Sequence, residues 1–564
     1  MKYLNLIFIF VLFACKSTNN TSAFAPKYGT IADSAMVVSS SVEATNIGLA
    51  VLRRGGNAFD AAVAMQFALS VSYPRAGNIG GGGFMVYRLA KGEVGSLDFR
   101  ETAPLAATKD MFLDSARNVV PNLSRKGHLS VGVPGTVAGM EAIHRKFGTQ
   151  KWFDLVYPSV RLALGFTIKA READRLNKYR TDFLEVDSLN NPYLQQKPWQ
   201  AGDTLKNAAY SNTLLRIAEQ GASEFYSGET ARLILAEMRR HGGVITATDL
   251  AQYTAVWRKP MVGTYRGFGV ISMPPPSGGG IALLQLLKGT EPYNIAKFGQ
   301  NSTKHVQLMV ELERRVFADR AEYLGDPDFI EVPQNKLLSP EYLKKRFADV
   351  SLTQKTNSQT IKAGKVQAIE HFETTHFSIV DAQGNAVAIT TTLNDNFGSR
   401  VVVDGAGFLL NDEMDDFSAK PGTPNMFGLV GSHANAIAPK KRMLSSMAPT
   451  IITDKNNQLF AVIGTPGGST IITTVYQCVM NLIDFRLTMQ DAILSPKIHA
   501  QWLPDEVYAE PPFMDSPQKA ELERMGHQFK KQSLGLLDCI LVQKNGKLEG
   551  AQDHSKEDGG AQGY

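Results

Sequence analysis

Residues 371–394, HFETTHFSIVDAQGNAVAITTTLN, constrain the fold more than any other stretch of the chain. Two runs rich in β-branched residues flank Ala382-Gln383-Gly384. A three-residue loop with glycine in the left-handed position turns such runs back on each other as an antiparallel hairpin. Asp381 then faces Asn385, and Thr374 faces Thr392. Side chains alternate between faces along a strand. Phe377, Ile379, Val387 and Ile389 therefore share one face, which demands a core. Thr374, His376, Ser378, Thr390 and Thr392 share the other. Taken alone, that hydroxyl-rich face is expected to be a cross-strand ladder turned to solvent.

The chain around the hairpin is long, 564 residues, which suggests several domains or one large α/β unit. VEATNIGLAVLRRGG (42–56) and NAFDAAVAMQFALSVSYP (57–74) read as consecutive helices, the first stopped by Gly55-Gly56 and the second capped by Asn57. GGGFMVYRLA (81–90) and GSLDFRETAP (95–104) read as strands, 135–255 as mostly helical, and 306–325 as a further helix. Segment 353–370 carries few large apolar residues and reads as an exposed connector leading into the hairpin. A net charge of +5 without a Lys/Arg stripe argues against a nucleic-acid partner.

At the N-terminus, Lys2 precedes the apolar run LIFIFVLFA (6–14), too short for a membrane span and suited to a secretory signal. LFAC (12–15) resembles the lipobox of bacterial lipoproteins. That resemblance implies a signal peptide over 1–14, lipid attachment at Cys15 and a flexible tether over 15–26. The expected location is outside the cytoplasm, periplasmic and membrane-anchored, with membrane contact only through the lipid. Cys478 and Cys539 remain in the mature chain, either as a pair or as two buried thiols.

The start of the hairpin raises a chemical question. A threonine hydroxyl is a weak nucleophile at neutral pH unless it is the chain terminus, where its own α-amine serves as base. That amine has a reference pKa near 8, so a useful neutral fraction exists. Cutting the bond between Glu373 and Thr374 would expose such a terminus, and a Thr392 hydroxyl opposite could hold the nucleophilic oxygen in place. A zinc reading of HFETTH is discounted, because the spacing is wrong and the segment is extended. The glycine-rich GNIGGGGF (77–84) does not match the dinucleotide fingerprint.

TTHFSIVD followed by NAVAITTTLN resembles the start of the small subunit of γ-glutamyltranspeptidases, which are N-terminal-nucleophile hydrolases. GGGFMVY, DFRETAP, VPGTVAG, MPPPSGG, LLNDEMDDFS, PKKRMLSSMAPT and GTPGGS follow in the family's order. The resemblance implies a four-layer αββα sandwich made as one precursor. The precursor would cleave itself into a large subunit, 27–373, and a small subunit, 374–564, interwoven in one domain. It implies hydrolysis or transfer of the γ-glutamyl group of glutathione and related donors, with water, amino acids or peptides as acceptors, and without a cofactor or metal. By resemblance Arg100 holds the donor's α-carboxylate with Ser445 and Ser446. Glu413, Asp416 and Asn394 hold its α-ammonium, and Gly467 and Gly468 form the oxyanion hole. Many bacterial members carry Gln where this chain has Glu413. PGTPNMFGLVG (421–431) aligns with a lid, with Phe427 where a tyrosine is frequent. Two other readings stay open: an acylase of the same superfamily acting on glutaryl-type β-lactam side chains or poly-γ-glutamate, and an unprocessed lipoprotein that only binds amino-acid-like ligands.

Overall fold

The computed structural model describes residues 25–564 apart from 187–189, 359, 362–373, 421, 424, 427, 428, 430, 556 and 557. The signal peptide, Cys15, most of the tether, Glu373 and Phe427 thus lie outside the described residues.

The hairpin forms in the expected register. Strand Thr375–Val380 pairs antiparallel with Ala386–Thr392, with Thr375 opposite Thr391 and Phe377 opposite Ile389. Gly384 turns the loop at φ 88°, and the Asp381 N–H donates to the Asn385 carbonyl at 3.0 Å. The hairpin is the centre of a seven-stranded sheet, ordered 560–563, 36–39, 375–380, 386–392, 82–88, 94–98, 256–258. A second seven-stranded sheet runs 30–32, 548–552, 538–542, 459–463, 450–453, 268–272, 261–265.

Each sheet carries helices on its outer face, so four layers result. Phe377, Ile379, Val387 and Ile389 pack with Val42–Arg53 and Ala58–Ser72 in one core. Every residue of Ala58–Ser72 is buried, as its continuous apolar run requires, and Asn57 caps it in a capping box. On the far side, Gly279–Thr290, Thr303–Tyr323 and Thr470–Ile483 cover the second sheet. Met36, Val38, Phe84, Val86, Val380, Ala386 and Ala388 fill the space between the sheets with residues of the second.

Two expectations are corrected. The hydroxyl face of the hairpin does not meet solvent; the second sheet packs on it. His376 and Ser378 are fully buried. Ser378 Oγ donates to the Asp538 carbonyl at 2.8 Å, and His376 Nδ1 lies 2.9 Å from Thr390 Oγ1. Burial pushes the His376 imidazole down to about 3, so it is neutral. Nor are the described residues of the connector, 353–358 and 360–361, all exposed. Arg314 donates to the Thr356 carbonyl at 2.6 Å, Trp502 Nε1 to the Ser358 carbonyl at 3.0 Å, and Ile361 is buried. Polar side chains on buried elements hold this stretch, which an apolar count does not detect. Cys478 and Cys539 are both free and buried.

Candidate active site

Thr374 is the residue immediately before strand Thr375–Val380, and it is buried. Its neighbour across the hairpin is fixed by Asn78. That side chain donates to the Thr392 carbonyl at 2.8 Å and to Thr391 Oγ1 at 3.1 Å, and accepts from the Gly81 N–H at 3.0 Å and Thr136 Oγ1 at 2.6 Å. The glycine run exists for close approach: a Cβ on Gly81 would sit 2.1 Å from the Thr392 carbonyl oxygen, and one on Gly83 would sit 2.5 Å from that of Thr390. GNIGGGGF is thus a packing device against strand Ala386–Thr392.

Arg100 lies just beyond strand Val94–Asp98. Its backbone N–H donates to Asp98 at 3.0 Å, and its carbonyl accepts from Tyr253 at 2.7 Å. The buried guanidinium makes an ion pair with Glu413 at 2.8 Å and contacts Asp416. Glu413 and Asp416 sit on one 3-10 turn, Glu413–Asp416. Asn411 braces that turn: its side chain accepts from the N–H groups of Gly132 at 2.8 Å and Glu413 at 3.0 Å, and donates to the carbonyls of Gly80 and Gly132, both at 2.8 Å.

Burial opposes the charge on Arg100, but Glu413, Asp416 and Glu101 outweigh it and hold the group charged. The carboxyls pay for crowding. Burial pushes Glu413 and Asp416 up, with Arg100 pulling the other way. Glu101, 3.6 Å from Arg100, is raised by burial to about 8. Neither Glu413 Oε2 nor either Glu101 oxygen has a hydrogen bond among the described residues. Arg320, on helix Thr303–Tyr323, adds a second buried guanidinium that burial lowers to about 10.

Ser445 is clamped by the MPPPSGG segment: its N–H donates to the Pro276 carbonyl at 3.0 Å and its carbonyl accepts from Gly278 at 2.8 Å. Ser446 Oγ is buried and has no hydrogen-bond partner among the described residues. Gly467 and Gly468, at φ 140° and 53°, turn strand Leu459–Ile463 into helix Thr470–Ile483. These are conformations that favour glycine, and they bring backbone N–H groups to a helix N-terminus, where negative charge is stabilised. Thr392 Oγ1 accepts from the Asn394 N–H at 2.8 Å, and the Asn394 amide donates to the Asp412 carbonyl at 3.1 Å.

Arg100, Thr374, Thr392, Asn394, Glu413, Asp416, Ser445, Ser446 and Gly468 all line one pocket; Gly467 adjoins it. No sequence pattern marks Arg320, Glu101 or the braces Asn78 and Asn411. Arg320 sits among helical charges that look like a solvated face, and Glu101 differs from any other Glu only by burial. Three described residues of the 421–431 segment meet the acids or the pocket. Asn425 donates to Asp416 Oδ1 at 3.1 Å, the Met426 N–H donates to Asp415 at 2.9 Å, and Leu429 lines the pocket. The arrangement offers a hydroxyl at a strand start, amide donors at a helix N-terminus, and cations and carboxylates that complement a zwitterion.

A family model described as Gamma-glutamyltranspeptidase matches residues 44–563. The chain is 45% identical over 533 residues to the glutathione hydrolase proenzyme of Escherichia coli (strain K12), covering 94% of this chain and 92% of that one. It is also 45% identical over 543 residues to that of Pseudomonas aeruginosa, covering 95% of each. Among solved structures, a cephalosporin acylase from Bacillus halodurans superposes with a TM-score of 0.83 at 26% identity, covering 98% of this chain and 99% of that one. A chain of the Helicobacter pylori gamma-glutamyltranspeptidase is 47% identical with a TM-score of 0.56, covering 58% of this chain and 95% of that one.

Proposed function

The chain belongs to the gamma-glutamyltranspeptidase family, and from that premise we propose which of its residues perform each part of the reaction. It is an enzyme that cleaves γ-glutamyl amide bonds and transfers the γ-glutamyl group, with glutathione among the donors. One observation carries the assignment: a single pocket gathers Thr374, the Arg100 cluster, Ser445, Ser446 and Gly468.

In the precursor, Thr374 Oγ attacks the carbonyl carbon of Glu373. The C–N bond breaks, the nitrogen becomes the Thr374 α-amine, and water hydrolyses the resulting ester. The freed amine then takes the proton of its own hydroxyl. In turnover, Arg100, Ser445 and Ser446 bind the donor's α-carboxylate, while Glu413, Asp416 and Asn394 bind its α-ammonium. The zwitterion inserts between Arg100 and its partners Glu413 and Asp416. Thr374 Oγ attacks the γ-carbonyl, and the amides of Gly467 and Gly468 stabilise the oxyanion, each such donor contributing about 3 kcal/mol. The amine leaves with a proton. Water or the amine of an amino acid or peptide then attacks the acyl-threonine and regenerates the enzyme. Lys2, the apolar run and LFAC support export and lipid anchoring at Cys15 on the periplasmic side.

The cephalosporin acylase likeness raises a second reading, a glutaryl donor. Such a donor lacks the α-ammonium, and the buried Glu413 and Asp416 would then face no cation of the substrate. γ-Glutamyl-p-nitroanilide is expected to be turned over far faster than glutaryl-p-nitroanilide; the reverse order would overturn the assignment. Addition of glycylglycine separates transfer from hydrolysis. Thr374→Ala is expected to run as one uncut, inactive chain on a denaturing gel, whereas the parent yields a fragment whose N-terminal sequence begins at Thr374. Splitting of the variant at the same bond would refute self-cleavage.

A further inference from the structure

Away from the pocket, three side chains converge in a way the hydrolase chemistry does not use. His128 lies on the short 3-10 turn His128–Ser130; Glu237 and His241 lie one turn apart at the end of helix Glu229–His241. His128 Nε2 is 2.8 Å from Glu237 Oε1, and His241 Nε2 is 3.6 Å from the same oxygen. The two ring centroids are 4.5 Å apart, with 17° between the planes. Ligand atoms of all three residues lie within 4.8 Å of one another, and among the described residues no other such His/Cys/Asp/Glu group occurs.

The carboxylate is held for this role. Glu237 is wholly buried. Its Oε2 accepts from Arg240 at 2.6 Å and from the Asp404 N–H at 3.4 Å, which leaves Oε1 to face the imidazoles. A simple His128–Glu237 ion pair accounts for one imidazole only. It leaves a second imidazole 3.6 Å from the same oxygen without a role.

We propose that His128, Glu237 and His241 form a binding site for a divalent transition metal, with Zn²⁺ as the favoured occupant. Imidazole ligands sit 2.0–2.1 Å from zinc, so atoms of a tetrahedral set are about 3.3 Å apart; the two measured separations lie on either side of that value. A donor set of two imidazoles and one carboxylate suits Zn²⁺, and also Ni²⁺ and Cu²⁺. His241 is 41% exposed, so ions enter from its side and water completes the fourth position. Arg240 also pairs with Asp404 at 3.0 Å, so the metal would rigidify the place where the 374–564 segment meets this helix.

The test uses tag-free, two-chain enzyme, stripped with a chelator and dialysed. Calorimetric titration with zinc chloride is expected to show one Zn²⁺ per enzyme, and zinc is expected to raise the melting temperature. Because His241 is partly exposed, His241→Ala should fold; it is expected to weaken zinc binding tenfold or more and abolish the thermal shift, with donor turnover unchanged. His554→Ala, at an exposed histidine elsewhere, should bind zinc like the parent. Absence of zinc uptake by the parent, or equal affinity in parent and His241→Ala, would overturn the site.

Discussion

Ser446 shows what a single side chain contributes to this pocket. Its Oγ is buried and has no hydrogen-bond partner among the described residues, which costs free energy until a ligand accepts its proton. A hydrogen bond to a charged group is worth about 1.5–3 kcal/mol. Ser446→Ala is therefore expected to raise KM for γ-glutamyl-p-nitroanilide by about 10- to 100-fold, with self-cleavage retained; initial-rate measurements check this. Glu101 makes a different kind of statement. Burial raises its carboxyl to about 8 from an ordinary 4.5. Between those values the folded chain keeps a proton that the unfolded chain has lost, so this group's contribution to stability falls as pH rises. Glu101→Gln removes that titration while Glu413 and Asp416 remain. Its melting temperature should decline less than the parent's from about pH 5 to about pH 8. The two residues also differ in legibility. Ser446 is legible because MLSSMAPT resembles a family motif. Glu101 stands in an equally quoted motif, DFRETAP, yet nothing in a sequence states that its carboxyl is desolvated.

At the scale of elements, the hairpin register was readable because a three-residue loop and strict alternation leave one pairing. What packs on each face was not readable, since a Thr/His/Ser face suits either solvent or a partner sheet rich in backbone acceptors. The second sheet settles it, and it imposes a close fit. A Cβ on Gly464, at the end of strand Leu459–Ile463, would sit 2.1 Å from His376 Cε1. His376 cannot withdraw, because its ring nitrogens contact Thr390 at 2.9 Å and Ser378 at 3.1 Å. Gly464→Ala therefore has to part the sheets or shift the turn that carries Gly467 and Gly468. Overpacking of this kind costs about 1–3 kcal/mol. The displaced amides would lower kcat as well. Denaturant unfolding and donor kinetics on Gly464→Ala are expected to show both losses together; unchanged kcat with lowered stability would mean that the turn is independent of the strand.

The whole molecule is built so that cutting the chain need not take it apart. With a break before Thr374, both sheets would be shared between the two products. In the first sheet, 560–563 and 375–380 flank 36–39, and 386–392 pairs with 82–88; in the second, 548–552 pairs with 30–32 and 450–453 with 268–272. Five strand pairings would thus cross from one product to the other. The cores cross as well: Phe377 and Ile389 pack among Phe59, Phe67 and Met85. Hydrophobic burial on that scale behaves like a domain interior divided in two. The cleaved chains should therefore co-elute as one particle in size exclusion, and salt should not part them, since salt screens exposed charges and leaves buried apolar contacts and strand pairings in place. They should separate only under denaturing conditions, with a single unfolding transition for both. The interleaving also predicts an order of events: 27–373 and 374–564 expressed as separate chains would each expose unpaired strand edges and aggregate. Folding must then precede the cut, and efficient recovery of active enzyme from separately expressed halves would contradict that order.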